Sequence, residues 1–119
     1  MRIGVLGASQ AAVESVIEPA RRLGHQVVVV GSRDAERGQQ FAAAHAIPQA
    51  VAGYLPVIDR DDLDLCYVGL VNAAHAHWAS AAVAHGRHVL VEKPLTLDLR
   101  QAQALVADAR ACRRYVCDG

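Results

Sequence analysis

The 119-residue chain has only three cysteines, Cys66, Cys112 and Cys117, and no C-x-x-C pair among them. An odd, scattered set excludes a closed disulfide framework and lacks the ligand spacing of a structural zinc site, so a reduced, cytoplasmic setting is expected. Net charge is missing as well: twelve basic and twelve acidic side chains sum to zero. No long-range field draws such a chain to nucleic acid or to an anionic membrane surface. No apolar run approaches the ~20 residues of a membrane-spanning helix. Met1-Arg2 passes straight into Ile3-Gly4-Val5-Leu6, and no signal-peptide core is expected. Repeats, low-complexity tracts and Pro/Gly/Ser linkers are absent, and the whole of 1–119 is expected to be one domain. That length is too short for two domains of ordinary size.

What is present is alternation. Arg2 to Leu6, Gln26 to Val30, Leu65 to Gly69 and His88 to Val91 are short Val- and Leu-rich runs that suit strands buried on both faces of a parallel sheet. Between and after them lie four segments of helical length: Gln10 to Leu23, Asp34 to His45, His75 to His85 and Asp98 to Cys112. Ala50-Val51 and Tyr115 to Cys117 are shorter strand candidates at the margins. Gly24 and Gly86 stand where helix C-caps want positive φ, and Asp34 and Asp98 stand where N-caps accept backbone N–H bonds. Pro19 is expected to bend the first helix at Val16 to Glu18 without splitting it. The fold class implied is α/β, a doubly wound parallel sheet of Rossmann type.

Gly7-Ala8-Ser9-Gln10-Ala11-Ala12 joins the first run to the first helical segment. A dinucleotide cradle wants Gly at a tight turn, Gly where backbone meets pyrophosphate and a small residue where helix packs on strand. Gly7, Ser9 and Ala12 take those places. Ser9 adds a side chain where a glycine is usual, with a hydroxyl that can donate to a phosphate oxygen; the same turn is also compatible with a plain strand-to-helix connection. The second run ends Gly31-Ser32-Arg33, with no carboxylate at its tip for a ribose 2′-hydroxyl. Ser32 and Arg33 offer a hydroxyl and a fork-shaped cation suited to a 2′-phosphate, so NADP is expected over NAD. The alternative for Arg33 is a solvated loop residue.

The chain resembles the N-terminal half of the Gfo/Idh/MocA family of NAD(P)-dependent oxidoreductases over almost its entire length. The resemblance is carried by Ile3-Gly4-Val5-Leu6-Gly7-Ala8, Ser32-Arg33-Asp34, Gly53-Tyr54, Tyr67-Val68, Asn72-Ala73-Ala74-His75 and Gly86-Arg87-His88-Val89-Leu90-Val91-Glu92-Lys93-Pro94. It implies a catalytic Lys93 beside the nicotinamide and a substrate hydroxyl, with Pro94 often following a cis bond. A cation there would orient the reacting hydroxyl and favour alkoxide character as hydride leaves. It also implies cofactor contacts at Leu70, Asn72, His75, Glu92, Lys93 and Pro94, alongside the turn residues Gly7, Ala8, Ser9, Gln10, Ala11 and Ala12. Val71 stands where the family usually has proline, which predicts a less rigid loop.

His75 and His77 are two apart and share no helical face as zinc ligands would, and no metal is expected. Family members add a second α/β domain that forms the substrate pocket. The chain is expected to lack it, to turn over little by itself, and to expose an apolar edge near its last strand for self-association or a partner. The substrate class implied is a sugar, polyol or related alcohol, engaged only with a second domain. A second reading is a non-catalytic nicotinamide-binding or protein-interaction module. A methyltransferase would want an acid at the second strand's end, and short-chain dehydrogenase chemistry would want a Tyr followed by Lys at the fourth position. Neither pattern occurs.

Overall fold

A computed structural model describes all residues, 1–119, and in it the apolar runs become neighbouring strands of one six-stranded parallel sheet. The strands are β1 (Arg2–Leu6), β2 (Gln26–Ser32), β3 (Gln49–Ala52), β4 (Leu65–Val68), β5 (His88–Val91) and β6 (Val116–Asp118), in spatial order β3-β2-β1-β4-β5-β6. β1 is central: Leu6 sits opposite Gly31 of β2 on one side and Val68 of β4 on the other. The chain winds outward from β1 to β3, then returns to β1's other side to begin β4. Order reverses between β1 and β4, and in such sheets the connections there part at the carboxyl ends and leave a crevice.

Helices cover both faces. Alternation along β1 sends Ile3 and Val5 to one face, where they meet Val13, Val16 and Ile17 and, on the same side, Tyr67 and Val30. Leu6 points to the other face, into a core shared with Val29, Val68, Val83, Val91 and Leu105. The first face is covered by α1 (Gln10–Ala12), α2 (Glu18–Arg22) and α3 (Ala35–Ala44), the second by α4 (Leu55–Ile58), α5 (His75–Ala84) and α6 (Leu99–Cys112). Each buried Val, Leu or Ile contributes about 1.5–3 kcal/mol relative to exposure.

The caps fall where the sequence puts them. Asp34 accepts from the Arg37 N–H at 3.1 Å and Asp98 from the Gln101 N–H at 2.8 Å. Gly24 and Gly86 both adopt positive φ, 81° and 83°. Pro19 behaves differently from the expected simple bend. A π-helical stretch, Val13–Ile17, separates α1 from α2, with the Glu18 N–H bonded to the Val13 carbonyl. Proline has no N–H to give the carbonyl one turn back, and its ring crowds that turn, so the helix widens just before it. Two further differences are small: β2 runs two residues past Val30, and α4 had no counterpart in the sequence reading.

Cys66 lies inside the sheet, and burial pushes its thiol up to about 12. Cys112 and Cys117 are exposed. Thiolate is the reactive form. With a disulfide-exchange reagent at neutral pH, two thiols are expected to react immediately and the third only as the protein unfolds; three fast thiols would contradict this packing. No helix is long and apolar enough to cross a membrane.

Candidate functional site at the β1/β4 crevice

The turn after β1 is built on a close approach of two strands. Gly7 has φ 105°, its N–H donates to the Gly31 carbonyl at 2.9 Å, and a Cβ placed on it would stand 2.3 Å from the Gly69 carbonyl oxygen. Gly69, just past β4, donates its N–H to Leu6 at 3.0 Å. The two glycines bring the β1 and β4 ends together, and the crevice opens above them.

Ser9 caps the helix that follows. Its backbone is extended and its Oγ accepts from the Ala12 N–H at 3.2 Å, which leaves the hydroxyl proton free to donate outward. The first-turn amides next to such a cap have no intrahelical acceptor, and the helix dipole adds to their attraction for an anion. Ala12 is fully buried against the strand, the small-residue contact that the turn requires. Gln10 is exposed and donates instead to Glu14 at 3.1 Å.

A groove of about 550 Å³ runs across this end of the sheet. Gly7, Ala8, Ser9 and Ala11 line its middle; Ser32 and Arg33 line one end, and Leu70 and Glu92 the other. Ser32 is nearly buried and Arg33 is exposed. Asp34 also borders the groove, but its carboxylate is engaged as the α3 cap. Two lining residues, Arg37 and Tyr54, were not among the expected cofactor contacts. Arg37 reaches from α3 to donate to the Ala8 carbonyl at 3.2 Å, tying the turn to the helix beside it. Its place in the first turn of α3, just after the Asp34 cap at the β2 tip, was the available signal. Tyr54, the other, packs edge-to-face on Trp78 with ring centroids 5.2 Å apart.

At the β5 end, the Tyr67 hydroxyl donates to a Glu92 carboxylate oxygen at 2.8 Å. Burial, and then this bond, hold the Tyr67 phenol well above its ordinary range, so it remains a donor. Lys93 and Pro94 are exposed beside the groove, joined by a cis peptide bond. Lys93 is the only lysine in the chain. Asn72 is exposed in a short 3-10 turn, with Val71 before it 70% exposed. His75 departs from the expected cofactor contact: its side chain is fully buried, and both ring nitrogens face backbone carbonyls of the protein. Its position at the first turn of α5 points it inward.

The residues present fit a dinucleotide. Gly7 makes the tight turn that brings β1 against β4, the capped helix start presents N–H groups to a pyrophosphate, and two guanidinium groups stand at one end of the groove.

Comparison with known proteins agrees with that fit. A 3-reductase acting on dTDP-3,4-didehydro-2,6-dideoxy-α-D-glucose from Streptomyces antibioticus is 46% identical over 114 residues, 93% of this chain and 34% of the relative. An NADP⁺ D-xylose 1-dehydrogenase from Haloferax volcanii is 37% identical over 88% of this chain and 32% of its own length. Among solved structures, the 3-ketoreductase KijD10 from Actinomadura kijaniata, in complex with NADP and TDP-benzene, superimposes with a TM-score of 0.93 at 33% identity, over 100% of this chain and 37% of that one. The chain thus spans about a third of the length of the relatives it matches. The model of the GFO_IDH_MocA oxidoreductase family, NAD-binding Rossmann fold, matches residues 1–117, and the chain belongs to that family.

Proposed function

We propose that this chain is the NADP-binding part of an oxidoreductase that moves hydride between nicotinamide and a carbon of a sugar, polyol or related alcohol. The observation that carries the reading is the groove itself, which runs from a pair of arginines at the β2 end, over the Gly7 turn, to Glu92 at the β5 end. Arg33 and Arg37 would hold the 2′-phosphate; Asp34, the nearby carboxylate, is spent on capping α3 and is poorly placed to select a free 2′-hydroxyl. Gly7, Ala8, Ser9 and the amides of Gln10 and Ala11 would take the pyrophosphate. Leu70, Asn72, Glu92, Lys93 and Pro94 would border the nicotinamide.

The nicotinamide, when bound, accepts or supplies the hydride. Lys93 supplies positive charge where a substrate hydroxyl loses its proton, or where a ketone oxygen gains negative charge in the reverse direction. Hydride transfer also needs the substrate held in near-attack geometry with water excluded. The relatives are some three times longer, and the remaining length would supply that half of the cleft. The sugar class follows the relatives, which by name act on sugars.

Calorimetric titration with NADPH and NADH tests the cofactor assignment. NADPH is expected to bind more tightly. Arg33→Ala is expected to remove a charge-assisted phosphate contact worth about 1.5–3 kcal/mol, lowering NADPH affinity roughly 10- to 100-fold and leaving NADH almost unaffected. Binding of neither nucleotide at millimolar concentration would overturn the reading.

A further inference from the structure

His75 is fully buried at the start of α5, and its two ring nitrogens meet two different loops. Nδ1 lies 2.7 Å from the Pro94 carbonyl oxygen and Nε2 2.8 Å from the Leu70 carbonyl oxygen. A carbonyl oxygen at that distance accepts from a ring N–H; a neutral imidazole has one and the protonated ring two, so His75 donates to one of the two loops in its neutral form and to both only when doubly protonated. Leu70 belongs to the loop after β4 and lines the groove. Pro94 follows Lys93 in the loop after β5. The residue before Lys93 is fixed too: the Glu92 N–H donates to Val68 at 2.9 Å, and its carboxylate accepts from Tyr67. Lys93 is therefore flanked by two anchored neighbours.

We propose that His75 is a positioning residue, one imidazole that ties the β4 and β5 loops together and so fixes the Lys93 backbone at the rim of the groove. The proposal rests on the reading that Lys93 meets the reacting hydroxyl, since that is what gives its placement a use. Packing alone does not call for an imidazole here. Leucine fills a similar volume without the cost of burying two polar nitrogens, a cost that is recovered only when the nitrogens are bonded. The site is also one where a displacement of an ångström or so matters to rate.

Because Lys93 is the only lysine and Phe41 the only phenylalanine, ¹⁵N-Lys and ¹⁵N-Phe labelling gives two backbone amide signals. Phe41 lies on α3, whose packing is against β2 and β3, so it reports on the fold away from the tie. In the unliganded chain both amides are expected to be rigid, with order parameters near about 0.85. In His75→Leu the Lys93 value is expected to fall below about 0.6 while Phe41 keeps its value, and His75→Gln, which retains an N–H donor, should recover part of the loss. Lys93 equally ordered in the leucine variant, or already mobile in the wild type, would overturn the tie.

Should the leucine variant fail to fold, as loss of the Phe41 signal would reveal, the wild type still decides. A His75 ring N–H is expected to exchange with solvent at least about a hundredfold more slowly than those of the other histidines, and absence of any protected ring proton would sink the proposal. NADPH is then added to the wild type. If the Lys93 signal does not move, the cofactor reading fails, while the unliganded comparison continues to judge the tie by itself.

Discussion

Gly7→Ala is expected to destabilise the chain by about 2–4 kcal/mol, the sum of backbone strain and a forced displacement, and to abolish dinucleotide binding. Two separate obstacles act at this position. φ is 105°, a conformation that L side chains rarely adopt, and the added Cβ would sit 2.3 Å from the Gly69 carbonyl oxygen. A flexible side chain could swing away from such a contact, but a carbonyl in the β4 connection cannot. Relief requires β1 and β4 to part at their carboxyl ends, which moves the floor of the groove and the helix start that follows. Gly24→Ala separates the two causes. It shares the positive φ, 81°, yet meets nothing within 4 Å, so strain alone remains, about 1 kcal/mol. Urea denaturation of both variants reads the difference. Equal costs would mean that the contact with Gly69 is relieved without effort, and the turn would lose its place as the element that sets the crevice.

Much of this was legible before any coordinates, and what was not has identifiable causes. Strands that pack helices on both faces read as unbroken apolar runs, and the inner four were visible on that ground. The second run ends at Val30 in the sequence, before Gly31, whereas β2 extends to Ser32. Gly31 continues the ladder, opposite Val51, and is glycine because a Cβ there would meet the Gly53 carbonyl at 2.5 Å. Leu55–Ile58 makes about one turn, too short for a 3.6-residue period to show. Pro19 and the upstream turn it disturbs were visible; that the lost donor widens Val13–Ile17 into a π-helical stretch, where a simple bend was expected, was not.

Side-chain pairing across strands was the larger gap. Tyr67 and Glu92 are 25 residues apart, and their bond depends on the β4/β5 register, in which Val68 lies opposite Val91. Nothing in the sequence states that register. The His75 case has the same origin: a histidine at a helix start near a groove is compatible with solvent, cofactor or core, and only the direction of its first helical turn chooses among them. Gly7, Ala8, Ser9, Ala11 and Arg33 fall on the groove where their spacing put them, because a turn or a strand tip is placed by the backbone alone.

Lys93→Met, in the protein complete with its substrate-binding part, is expected to lower kcat by about 10²- to 10³-fold, the usual effect of removing one group that stabilises developing charge on oxygen. Methionine keeps an unbranched side chain one atom shorter and loses the charge. NADPH affinity should move little, because in the proposed reading the phosphates and the 2′-phosphate end would be held elsewhere in the groove. A fall in kcat and in kcat/KM by the same factor marks an interaction made in the transition state, whereas a raised KM with kcat intact marks simple binding. Lys93→Arg then distinguishes two ways of acting. Arginine carries the charge at all accessible pH but does not give up a proton. Partial recovery with arginine fits a cation that orients and stabilises the oxygen; no recovery, with a pH profile that loses one limb, fits a lysine that carries the proton itself. The first outcome is expected. Lys93 is exposed beside the groove, so its charge is free to meet a substrate oxygen there. Unchanged kcat in the methionine variant would remove Lys93 from the reacting centre.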